Sequence, residues 1–96
     1  MNKYTELSDF EINKKVAERL FLKFTDSWSV ILVDGESFNP CNNPADAMSI
    51  IIENGISMVR VNNTWSARQF NNHCIEINGD NYFRIAMEVY LLMNGK

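Results

Sequence analysis

Two thiols and one imidazole are the groups in this 96-residue chain best suited to covalent chemistry: Cys41, Cys74 and His73. A cysteine hydrolase needs a thiolate held by a nearby imidazole, itself oriented by an amide or carboxylate. Cys41 stands in a loop-forming stretch, FNPCNNPADAM (38–48), and Asn42, Asn71 or Asn72 could supply the orienting amide. No local signature of a cysteine-enzyme family surrounds either thiol. Cys41, His73 and Cys74 could also be three metal ligands. A structural zinc site takes four ligands and usually brings a closely spaced cysteine pair, which is missing here. The carboxylates from Asp9 to Glu88 are scattered among caps, turns and helix faces and read as solvated surface. No glycine-rich phosphate loop is present. The expectation is a non-enzymatic protein with no cofactor and no metal.

Binding chemistry is the remaining possibility. In the 38–48 stretch, Asn43 can N-cap a helix and Pro44 suits its first position, where the missing N–H costs nothing. Asp46 then lies in the first turn, favourable to the helix dipole. Asn39 and Asn42 can close Asx-type turns, and Phe38 can plug the core. A cap needs one asparagine, however, and this loop holds three. The excess polarity beside free helix N–H groups makes Asn39, Cys41, Asn42, Asn43 and Asp46 candidate contact residues. A second candidate group is Asn62, Asn63, Trp65 and Arg68. Trp28 and Trp65, with Arg60 and Arg68, could form an aromatic-basic face for single-stranded nucleic acid. A formal net charge of -3 opposes that use, since phosphate-backbone binding needs a dense Lys/Arg field. Packing of both tryptophans in a sheet core is the expectation.

Several elements must position these groups. The chain is 46% apolar and 22% charged, which suits one globular domain spanning 1–96. Ser8 and Glu11 form a capping box for a first helix, with Leu7 placed to staple Ile12, and with Ile12, Val16 and Leu20 at helical spacing. Val30 to Val33 reads as a strand that is central or covered on both faces, followed by an Asp34-Gly35 turn. A second helix runs from the proline to about Asn54, with Gly55 after it and Ala45, Met48, Ile51 and Ile52 as its stripe. Ile56–Val61 and Thr64–Phe70 flank Asn62-Asn63, which suits a type I′ hairpin. Cys74, Ile75 and Ile77 offer a short edge strand amid loop-forming asparagines. Asp80 or Asn81 caps a last helix that reaches about Met93. The fold class is α+β, with three helices packed on a small, mostly antiparallel sheet of three or four strands.

That last helix is apolar nearly all round. Arg84 and Glu88, four apart, leave one narrow solvated strip, so the helix should be the most buried element. The competing use of its surface is a homodimer interface. The N-terminus lacks the apolar core of a secretory signal, and YFRIAMEVYLLM is too short and too charged to span a bilayer. A cytoplasmic protein with reduced cysteines and no membrane partner is expected.

LSDFEINKKVAE, FNPCNNPADAMSIIIENGIS and RIAMEVYLL resemble the small bacteriophage protein family called NinX, found in phages and prophages of enteric bacteria. Its most specific phrase is aromatic-Asn-Pro-Cys-Asn-Asn, then Asp-Ala and an isoleucine-rich helix ending Asn-Gly-Ile, here Phe38 to Ile56. The resemblance implies a phage or prophage accessory protein in the host cytoplasm and carries over no catalytic residue. The expected function is non-catalytic binding to a host protein or protein complex. An inhibitor of a bacterial defence complex, anti-CRISPR-like, is one form of it. The alternative is a small nucleic-acid-binding or recombination accessory protein, with an enzyme using Cys41 a third class.

Overall fold

Ser8 begins the first helix through the chemistry its spacing to Glu11 provides. In the computed structural model, which describes residues 2–70 and 74–94, the Glu11 N–H donates to the Ser8 hydroxyl at 3.1 Å. The Ser8 N–H in turn donates to the Glu11 carboxylate at 3.0 Å. This box starts α1 (Asp9–Arg19), whose buried side is Ile12, Asn13, Val16 and Ala17. The helix ends without a glycine. Phe21 takes φ +59, and the Phe21 and Leu22 N–H groups donate back to the Glu18 and Ala17 carbonyls. That is a Schellman ending, a position that normally takes glycine.

Two antiparallel sheets form where one was expected. The first is β1 (Phe24–Ser27), β2 (Val30–Val33) and β3 (Glu36–Ser37), in that order. The Asp34-Gly35 turn is as read, with φ +53 and +79. β2 is central, but only one of its faces is covered: Ile31 is 1% exposed and Val30 41%. Ile31 faces inward where β2 rests on α1, and the other face, bearing Thr25, Ser27 and Val30, is exposed. The Lys14–Asp26 ion pair at 3.1 Å also ties β1 to α1.

Asn43 caps α2 (Pro44–Glu53) by accepting the Ala45 N–H at 2.9 Å, and Gly55 follows it at φ +64. Of the expected stripe Ala45, Met48, Ile51 and Ile52, Ile51 is buried and Met48 packs half-buried against the core, whereas Ala45 and Ile52 are exposed and Ala47 and Ile50 are buried in their place. Three consecutive isoleucines fit either rotation, and docking against the last helix selects one, leaving Ile52 70% exposed.

The second sheet runs β4 (Ser57–Val61), β5 (Thr64–Gln69) and β6 (Ile75–Gly79). Asn62 and Asn63 have φ +49 and +70, as the hairpin requires. β6 is a regular edge strand that excludes Cys74, which precedes it exposed at φ +54. Asn71, Asn72 and His73 lie outside the described residues.

Asn81 accepts the Arg84 N–H and caps α3 (Tyr82–Asn94). Every residue from Ile85 to Leu91 is buried, and α3 packs on α1, α2, β5 and β6. The close approach explains Gly79: a Cβ there would lie 2.7 Å from the Ile85 side chain. Ile85 and Val89 are core residues rather than a free face.

Arg84 and Glu88 are not a solvated strip. Their side chains are 13% and 6% exposed, because the segment before α1 lies over them. The guanidinium donates to Glu88 at 2.6 Å, to Asp9 at 2.7 Å, and to the Leu7 and Tyr4 carbonyls at 2.7 and 3.1 Å. Asn2 donates to the other Glu88 oxygen. Burial opposes the charge on both Arg84 and Asp9. Their partners together outweigh it, Arg84 and Asn42 at Asp9 and Asp9 and Glu88 at Arg84, so Arg84 lies above the ordinary arginine value and Asp9 below the usual carboxylate range.

Arg84→Ala should therefore cost about 3 kcal/mol or more in urea denaturation, since it strands a buried carboxylate. Asp9 makes a separate pH contribution. Its folded value is depressed, so its share of stability is present above the unfolded value of 3.8 and disappears as pH falls through the folded one. Asp9→Asn should flatten that acid limb.

Candidate functional site

The 38–46 loop spends most of its polar groups on itself and on α1. The Cys41 N–H donates to the Asn13 side-chain oxygen at 3.0 Å, and the Asn13 amide donates to Asn39 Oδ1 at 2.8 Å. Asn42 donates to Asn39 Oδ1 at 3.2 Å and to the Asp9 carboxylate at 3.1 Å. Asp46 accepts the Asn39 N–H at 2.9 Å. Each asparagine thus has a structural task, which accounts for the three of them. Asn42 and Asn43 are exposed, Asn39 and Asp46 half-buried, and Cys41 fully buried.

Cys41 is poorly placed for nucleophilic chemistry. Burial, then the Asp9 charge, pushes its thiol up to about 12, against the partial opposition of Arg84. A thiol so strongly protonated at neutral pH is a weak nucleophile. Both cysteines are free. No group of three metal-ligating side chains comes together among the described residues.

The second candidate group divides across a sheet. Asn62 and Asn63 are exposed at the hairpin turn. Trp65 faces α3, its ring 4.8 Å from Tyr82 in an edge-on contact, with the Arg60 guanidinium 5.1 Å above it. Arg68 is three residues on and lies on the opposite face of β5. There it donates to the Ser66 hydroxyl at 2.9 Å and pairs with Glu76 at 3.5 Å. Arg84 is committed to the clamp. No continuous basic face runs across Arg60, Arg68 and Arg84, and Trp28 stands on the other sheet.

Trp28 is also the residue that sequence reasoning misplaced. It was expected in a sheet core, yet it is 96% exposed. The Ser27–Val30 pair closes β1 onto β2, so Trp28 and Ser29 form the two-residue turn between them. Trp28 takes φ +55 there, a region unfavourable to bulky side chains. Phe21, 86% exposed at φ +59, lies before the other end of β1. The available signal was the company Trp28 keeps, Asp-Ser-Trp-Ser, a turn-forming composition.

The family described as bacteriophage P22, NinX, matches residues 3–94. The chain belongs to this family. No curated protein and no solved structure matches it. The NinX match runs from before α1 to the end of α3. It takes in the Arg84 clamp, the 38–46 loop and the aromatic hairpin. No helix among the described residues of this NinX protein is long and apolar enough to cross a membrane.

Two outcomes follow from the loop. Asn13→Ala should cost about 2 kcal/mol by leaving the Cys41 N–H unpaired. Asn43→Ala should cost about 1 kcal/mol as a lost cap. Urea melts of both would show whether the inward stitch outweighs the cap. Iodoacetamide on the native protein should label Cys74 and spare Cys41 until denaturant is added, as read by mass spectrometry.

Proposed function

We propose that this NinX-family protein is a phage accessory factor acting by non-catalytic binding to a host protein, with the aromatic end of the β1–β2 hairpin in the contact. Trp28 carries the reading. A tryptophan left in water forgoes the burial its ring would gain in a core. Positive φ at a bulky residue adds strain on the order of 1–3 kcal/mol, which persists where the surrounding structure enforces it. Nothing in the packing of the first sheet uses this ring, whereas exposed aromatic side chains are favoured anchors at protein interfaces. The low reactivity of Cys41 and the scattered arginines weigh against the enzymatic and nucleic-acid readings. A bacterial defence complex, as in anti-CRISPR action, is the host target that a phage lineage favours.

The test uses Trp28→Gly, which relieves the strain as it removes the ring. It should unfold at the same or a higher urea concentration than wild type. In affinity capture from phage-infected cells, read by mass spectrometry, it should lose a host protein that wild type retains. Equal capture by both proteins would overturn the reading, and so would a loss of more than about 1 kcal/mol of stability, which would give Trp28 a folding role.

A further inference from the structure

We infer that the β1–β2–β3 sheet docks a positively charged protein surface, with an arginine or lysine of the partner seated beside Asp34 and Glu36. This rests on the reading of the chain as a binding factor and names the chemistry of what it binds. Residues 24–37 carry Asp26, Asp34 and Glu36 and no Lys or Arg, and Lys23, which lines a neighbouring pocket with Asp34, forms no ion pair with it. Asp26 is answered by Lys14. Asp34 and Glu36 are exposed and form no ion pair among the described residues.

A cleft of about 360 Å³ opens between them, lined also by Val33, Ser37, Phe38 and Asp46. Half-buried Val33 and Phe38 offer an apolar wall for the methylene stem of a long basic side chain. The two free carboxylates can then meet its charged head. Asp46 adds less, because it already accepts the Asn39 N–H and sits in the first turn of α2. At the other end of β2, about 10 Å along the strand, Trp28 presents its ring to water and could stack a second cation. The cleft opens at the β2–β3 end of the sheet, on the Ile31–Val33 side, and a partner can reach it because Asp34, Gly35, Glu36 and Ser37 are all exposed.

Charge also selects among occupants. A second copy meeting this surface across a two-fold axis would set like carboxylates against each other. A nucleic-acid backbone would meet the same repulsion. A basic protein surface is the partner that gains from both the ring and the carboxylates.

The test is an NMR titration of isotope-labelled protein with a short arginine–glycine repeat peptide, alongside its glutamate–glycine counterpart. Shifts should gather on residues 24–38 and the Trp28 indole with the arginine peptide only. Asp34→Asn/Glu36→Gln should weaken binding about tenfold, while Glu6→Gln/Glu53→Gln, equal in charge removed, should weaken it less than about threefold. Asparagine tolerates the positive φ at position 34, so the first variant should fold. Shifts spread over the whole surface, equal weakening by the two variants, or no binding at millimolar peptide would overturn the inference. So would self-association, or binding of single-stranded DNA, that maps to the same residues. If Trp28→Gly loses the captured host protein and Asp34→Asn/Glu36→Gln keeps it, the charge assignment falls and the binding reading stands.

Discussion

The Arg84 guanidinium is the contact on which the arrangement of the N-terminal half depends. It is a charge on the central helix with only 13% of its side chain exposed, and such a charge persists only if its hydrogen-bonding capacity is met. Glu88 meets part of it from the same helix. The rest comes from Asp9 and from the carbonyls of the segment before α1. That requirement pins the start of α1 against the middle of the chain's last element.

The polar network continues from there into the loop. Asp9, held by Arg84, accepts from Asn42; Asn42 donates to Asn39; Asn39 accepts from Asn13; and Asn13 receives the Cys41 N–H. No buried side-chain polar atom among the described residues is left without a partner. This completeness makes a polar assembly at the core boundary tolerable. It also leaves the loop few unoccupied polar groups. Its asparagines are largely occupied, and burial, then the charge of Asp9, keeps the thiol among them protonated. The features that packing does not explain lie on the first sheet.

A contrast within the molecule sharpens that point. Both α1 and α2 end in Schellman motifs, with the residue after the cap at positive φ. At α2 it is Gly55, which takes that conformation freely. At α1 it is Phe21, with its ring in water, and seven residues later Trp28 repeats the combination. Strain and exposure at two aromatic positions around one short hairpin reduce stability without improving packing. Features of that kind concentrate at contact sites.

Local chemistry was legible from sequence. The Ser8–Glu11 box, the Asn43-Pro44 helix start, the Asp34-Gly35 and Asn62-Asn63 turns and Gly55 after α2 all depend on residues within a few positions of one another, and they stand where their spacing placed them. The NinX lineage was legible for a related reason, since its phrase is contiguous from Phe38 to Ile56. Tertiary structure alone decided the rest. Arg84 and Glu88 satisfy the i, i+4 pattern equally well facing water or facing protein, and only the arrival of Asp9, 75 residues away, puts them inside. Three adjacent isoleucines leave the rotation of α2 open until it meets α3. A tryptophan beside a hydrophobic run looks like core until β1 pairs with β2 and turns it outward. Sequence periodicity records that a side has a character, whereas what lies against that side is set by chain segments far away, and burial follows from the second.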